Sequence, residues 1–156
     1  MPYIKQDWRD VVDDGINALL SKMDINESDE VYYVFFNFSS GYFYRSYMTE
    51  RTHAQKYDKL MNDLIDKART VEANGNECGV LNYILSMLCN GLIGSEMKYK
   101  KINRLIGILS RAMRNIEDDI YEYDLEGAFF CALLELYRRK GAPYENQKAR
   151  ENGDVY

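Results

Sequence analysis

A mainly α-helical fold is what this sequence predicts: a small bundle of helices in one domain, with a place for one aromatic-rich β-hairpin at residues 31–48. Three observations predict it. The 156 residues contain only two prolines, Pro2 and Pro143, so the long interior holds no residue that removes a helix hydrogen bond. Apolar residues recur at three- and four-residue steps over most of the chain, which is the period of a helix with one buried face. The length suits a single domain, residues 1–156, able to bury about 70% of the surface its unfolded chain exposes.

Residues 6–23 carry Trp8, Val11, Val12, Ile16, Leu19, Leu20 and Met23 on one helical stripe, with Asp10, Asp13, Asp14, Asn17 and Lys22 elsewhere. Gly15 costs that helix about 1 kcal/mol relative to alanine. Asp24 to Asp29 is a polar break.

Two readings fit the next segment. Tyr32 to Phe38, then Ser39-Ser40-Gly41, then Tyr42-Phe43-Tyr44 resemble two aromatic strands around a turn. A buried helix starting at Ser28, with Asp29 and Glu30 in its first turn, is the competing reading. Aromatic density favours the hairpin.

The helical period returns from Thr52 to Val71 through Tyr57, Leu60, Met61, Leu64, Ile65 and Ala68, and Ala73 to Glu77 is a loop. Val80 to Leu92 is the most apolar helix, ended by Gly91 and Gly94. Ile102, Leu105, Ile106, Leu109, Met113 and Ile116 mark a helix over 99–116. An acidic run, Glu117 to Glu126, leads into a helix over 127–139 whose inward stripe is Phe129, Phe130, Leu133, Leu134 and Tyr137. Gly141 and Pro143 stop it. An up-and-down bundle follows.

Composition narrows the function classes. A formal net charge of -5 is not the basic footprint of a nucleic-acid binder, so no nucleic-acid partner is expected. No run approaches the roughly 18 apolar residues of a membrane span, and no signal peptide is visible at the N-terminus. The three widely spaced cysteines, Cys78, Cys89 and Cys131, do not form a disulfide framework. Cys89 and Cys131 fall in apolar patterns that suit small buried hydrophobes. A reducing cytoplasm, of a bacterium or of a phage-infected cell, is the expected compartment. Fourteen tyrosines against one tryptophan are a surplus, and tyrosine is frequent at interfaces as well as in cores.

Enzymatic motifs are sparse. His53 is the only histidine and sits in a polar helix start, Glu50-Arg51-Thr52-His53-Ala54. One imidazole and no close cysteine pair disfavour zinc, and Gly91-Leu92-Ile93-Gly94 lacks the lysine and hydroxyl of a phosphate loop. Asp118 and Glu122 share a helix face, as do Asp119 and Glu122. Carboxylates so placed can hold magnesium in all-helical nucleotide hydrolases. Those enzymes need a second acidic pair on a facing helix, which the sequence does not supply. Lys98, Lys100, Lys101 and Arg104 read as an exposed helix start.

The C-terminal segment is chemically distinct. Arg138, Arg139 and Lys140 stand at a helix C-terminus, where the dipole favours cations. Pro143 is expected to stiffen an extended turn presenting Tyr144 and Glu145. Asn152-Gly153 is expected to turn Val155 and Tyr156 back, so that a tail, 141–156, docks on the helical body. Tyr137, Arg138, Arg139, Tyr144 and Lys148 are the candidate ligand-binding residues, because tyrosine stacking and bidentate arginine suit a phosphate-bearing ligand.

Both chain ends resemble one family. Met1-Pro2-Tyr3-Ile4-Lys5-Gln6 with Arg9, Leu136-Tyr137-Arg138-Arg139, Ala142-Pro143-Tyr144-Glu145, Lys148 and Glu151-Asn152-Gly153-Asp154-Val155-Tyr156 are similar to an uncharacterised family of short bacterial and phage-associated proteins. Leu81-Asn82-Tyr83 and Ile106-Gly107 are weaker matches, and together these cover about a third of the chain. The resemblance implies relatives but no activity. The expected role is that of a non-enzymatic accessory protein acting through a protein partner or a homo-oligomer, with no cofactor and no metal. A nucleotide-binding module and a magnesium-dependent nucleotide hydrolase are the alternatives.

Overall fold

The computed structural model describes residues 4–44, 55–71, 76–116 and 122–154, all in helices and the turns between them. The helices are α1 (Gln6–Leu20), α2 (Ser28–Phe43), α3 (Gln55–Val71), α4 (Glu77–Ile93), α5 (Tyr99–Arg114) and α6 (Glu122–Leu136). The last runs through a π turn (Tyr137–Gly141) into α7 (Ala142–Asn152), giving six helical rods. The fold is a small all-α bundle, with no strand among the described residues. None of the described helices is long and apolar enough to cross a membrane.

The hairpin expected at 31–48 is a helix as far as the described residues reach, and positions 45–48 lie outside them. The helical reading prevails because Val31, Val34, Phe35, Phe38 and Tyr42 repeat at three- and four-residue steps and are all buried. Aromatic density here reflects burial on most sides of α2, which packs on both α3 and α5. A helix apolar around most of its circumference hides its own period. Ser39-Ser40-Gly41 is not a turn: Ser39 is buried in the last turns of α2, and the Gly41 carbonyl accepts Arg69 Nη2 at 3.4 Å.

Helix directions depart from simple alternation. The pairs Glu30–Lys56, Tyr33–Asp58 and Gly41–Arg69 climb together, so α2 and α3 run the same way. On the other side, Asp13 meets Tyr83 and Leu20 meets Gly91, so α1 and α4 share the opposite sense. α6 follows α4, with Cys78 beside Asp124 at one end and Asn90 beside Arg139 at the other. Three rods (α1, α4, α6) thus oppose three others (α2, α3, α5).

The core is drawn from every helix except α7. Phe35, Phe38, Tyr57 and Phe129 are fully buried, each contributing about 1.5–3 kcal/mol by leaving water. Tyr57 also ties three elements. Its hydroxyl lies 3.0 Å from the Lys22 carbonyl after α1 and 2.9 Å from Glu30 Oε2 in α2. Gly91, expected to end α4, lies inside it. A Cβ there would overlap Leu20 Cδ1, so glycine lets α1 and α4 approach, and the helix ends at Gly94, the other expected stop.

Candidate functional site

The helix expected to stop at Gly141 and Pro143 does not stop. Proline lacks an N–H, and its ring crowds the carbonyl four residues back, which an unbroken α-helix cannot absorb. The chain widens into a π turn instead, and the Ala142 N–H reaches the Tyr137 carbonyl, five residues back. Pro143 then occupies the first turn of α7, where a missing N–H is tolerated. The segment after Gly141 is therefore helical rather than an extended turn. α7 buries no side chain fully and ends at Gly153. Val155 and Tyr156, expected to fold back, lie outside the described residues.

The π turn clusters charge around one carboxylate. Glu135 is buried, and its Oε1 accepts both Arg138 Nη2 and Arg139 Nε, each at 2.5 Å. Burial alone raises the carboxyl, but the two guanidiniums outweigh it and hold Glu135 below the ordinary value of 4.5. On another face of the turn, the Tyr137 ring lies across Gly141, and its hydroxyl donates to Glu145 Oε2 at 2.5 Å. A Cβ on Gly141 would stand 2.6 Å from Tyr137 Cδ2, so the ring needs glycine beneath it. Tyr144 is half-buried and stacks on Tyr99 of α5 at 5.7 Å. Lys148 sits 5.7 Å over the Tyr144 ring and pairs with Glu151 at 2.9 Å.

The five candidate ligand residues therefore separate. Arg138 and Arg139 meet on Glu135, Tyr144 and Lys148 meet beside Tyr99, and Tyr137 turns to Glu145. Arg139 alone of the five lines a cleft of about 270 Å³ between α1, α4 and the π turn. Its other walls include Arg9, Tyr83, Met87, Asn90, Glu135 and Lys140. Arg9 lies 5.5 Å over the Tyr83 ring, its Nε donates to the Ile4 carbonyl at 2.9 Å, and the Tyr83 hydroxyl donates to Asp13 at 2.7 Å. Burial and the Asp13 carboxylate push the Tyr83 hydroxyl well above its usual value.

A second feature is an exposed apolar face on α6. Phe129 and Ala132 are buried as the helical stripe requires, and Leu133 is half-buried. Phe130 and Leu134, expected inside, are each 50% exposed, and Tyr137 is 41% exposed. With Tyr123, 82% exposed, they form a seam at steps of seven, four and three residues. Cys131, expected buried, is exposed on the same side, whereas Cys89 is buried. Asp124 and Glu126 are exposed at one end of this helix and Arg138 at the other.

Other sequence candidates resolve locally. Lys98 pairs with Glu96, Lys101 donates to the Ile93 carbonyl, and Arg104 donates to Ile25 and Asn26. These contacts fasten the start of α5 to its neighbours. Asp118, Asp119 and His53 lie outside the described residues. No group of three potential metal ligands occurs among the described residues.

A family model described as "Domain of unknown function (DUF6899)" matches residues 1–122 and 117–155. The chain belongs to this family. The DUF6899 match extends far beyond the two ends and the interior patches that carry the resemblance in the sequence, and covers nearly the whole chain. It takes in the cleft residues Arg9, Tyr83 and Arg139 and the whole α6 seam. No curated protein and no solved structure matches the chain.

Proposed function

We propose that the chain is a non-enzymatic interaction protein that works as a two-fold homodimer through the exposed face of α6. Such a role suits an accessory protein of a bacterial or phage-infected cytoplasm. The observation that carries it is the seam Tyr123, Phe130, Leu134 and Tyr137, left uncovered on a helix whose other side fills the core. Isolated exposed apolar residues need no explanation, but a contiguous row at coiled-coil spacing has the form of a helix-packing surface.

Charge selects the occupant. One end of the helix carries Asp124 and Glu126, the other Arg138. An antiparallel second copy places the acidic end of each helix beside the basic end of the other, which is the self-complementarity a two-fold interface needs. At 100° per residue, Asp124, Cys131 and Arg138 fall on the same flank of the seam, and a two-fold axis brings like flanks together. Gly127, exposed with open space around its Cβ position, lets the partner helix come close.

Sedimentation tests this. The native chain is expected to be a dimer at micromolar concentration, and Leu134→Glu a monomer with unchanged helix content, because Leu134 is half in solvent already. A monomeric native chain at high micromolar concentration, or a dimer indifferent to Leu134→Glu and Phe130→Glu, overturns the reading.

A further inference from the structure

We infer that the cleft between α1, α4 and the π turn is a binding site for a small organic phosphate monoester. Its lining holds three cations, Arg9, Arg139 and Lys140, against one carboxylate, Glu135. That carboxylate is already committed to two guanidiniums through a single oxygen. Arg9 and Lys140 have no carboxylate within salt-bridge distance among the described residues, although the chain as a whole is acidic. A cleft whose lining side chains carry more positive than negative charge attracts an anion. The surplus of two charges matches a phosphate monoester, which carries about −1.5 to −2 near neutral pH, better than a single carboxylate.

The rest of the lining gives the ligand a body. Tyr83, Met87, Cys89 and Leu136 supply apolar wall, and Ser86 and Asn90 supply polar groups that can orient it. The cleft, about 270 Å³, is at the small end for organic ligands, so it suits one phosphate on a single ring or short chain. Arg9 is held in place by the Ile4 carbonyl and the Tyr83 ring, and that ring is pinned by Asp13. A guanidinium fixed before the ligand arrives loses little freedom on binding it. The cleft lies on the flank of α6 that carries Glu135 and Leu136, away from the Phe130–Leu134 seam. The two sites therefore occupy different faces of the rod.

Isothermal titration and thermal shift with phenyl phosphate, glycerol 3-phosphate and inorganic phosphate test the inference, with phenol and glycerol as neutral controls. At least one monoester is expected to bind and raise the melting temperature, while its neutral control does not. Lys140→Gln and Arg9→Gln are each expected to weaken that binding about tenfold, the loss of one charged hydrogen bond. Lys140 makes no ion pair among the described residues, so its variant reads the site without disturbing the fold. Silence from both monoesters at millimolar concentration overturns the inference. So does binding that is unchanged in both variants, or that the neutral control reproduces.

Discussion

Glu135 takes Arg139 Nε at 2.5 Å on Oε1, the oxygen that Arg138 Nη2 also reaches at 2.5 Å. One buried carboxylate thus holds the residue that lines the cleft and the residue that flanks the seam. Its carboxyl is held below 4.5 in the folded chain. A depressed folded pKa stabilises the fold fully above the unfolded value, about 4.3, and that stability is lost as pH falls through the folded value. Glu135→Gln is expected to cost about 1–2 kcal/mol at pH 7, discounted because both guanidiniums are more than half exposed. That is roughly 3–6 °C in melting temperature for a chain of this length. Melts from pH 7 to pH 3 should show the gap between native and variant closing below about pH 4. A gap of constant size would remove the charge-based account.

The π turn depends on the contact between Tyr137 and Gly141. Gly141→Ala puts a methyl 2.6 Å from the Tyr137 ring, so the ring must leave and the bond to Glu145 breaks. The expected loss is about 1–3 kcal/mol, the usual range for overpacking. Tyr137→Ala in the Gly141→Ala background should recover part of it, because the clash then has no second partner. Chemical denaturation of the two single variants and the double variant measures this. Strict additivity would mean that the ring does not lie where Gly141 requires it.

Sequence periodicity carried most of the fold, and its failures have common physical causes. α1, α3 and α5 are amphipathic, so their buried residues announce themselves. α2 and α6 are apolar on nearly every side. In α2 this made a helix look like aromatic strands. In α6 it hid the difference between Phe129, fully buried, and Phe130, half exposed one residue later. The cleft was legible only through Arg139. Arg9, Tyr83 and Glu135 come from helices distant in sequence, and no spacing rule relates them. Pro143 reads as a stop because the sequence cannot show that a π turn will absorb it.

The thiols should divide in reactivity. Cys78 and Cys131 are exposed, whereas Cys89 is buried, and burial pushes its thiol up to about 12. A disulfide reagent at pH 8 is expected to modify two thiols per native chain and the third only on unfolding. Cys78 should be the slower of the exposed pair in the Cys89→Ala background. Partial burial and the Asp124 and Glu77 carboxylates raise its thiol. Rapid reaction of all three in the native state would contradict the packing of α4.

The antiparallel dimer makes a sharper demand on Cys131. It lies midway between Asp124 and Arg138 on their shared flank, so pairing Asp124 with the partner's Arg138 places the two copies of Cys131 near the two-fold axis. A short bis-maleimide should therefore join two chains through Cys131, with the product absent in Cys131→Ser and retained in Cys78→Ser. Charge reversal supplies an independent arm. Asp124→Arg and Arg138→Asp each set like charges against each other and should weaken the dimer about three- to tenfold, in line with partly exposed charge pairs. The double variant restores opposite charges and should recover most of that loss, with the residual deficit set by the lost Arg138–Glu135 bond. Cross-linking through Cys78 instead, or a double variant weaker than both singles, would exclude this pairing of the two helices.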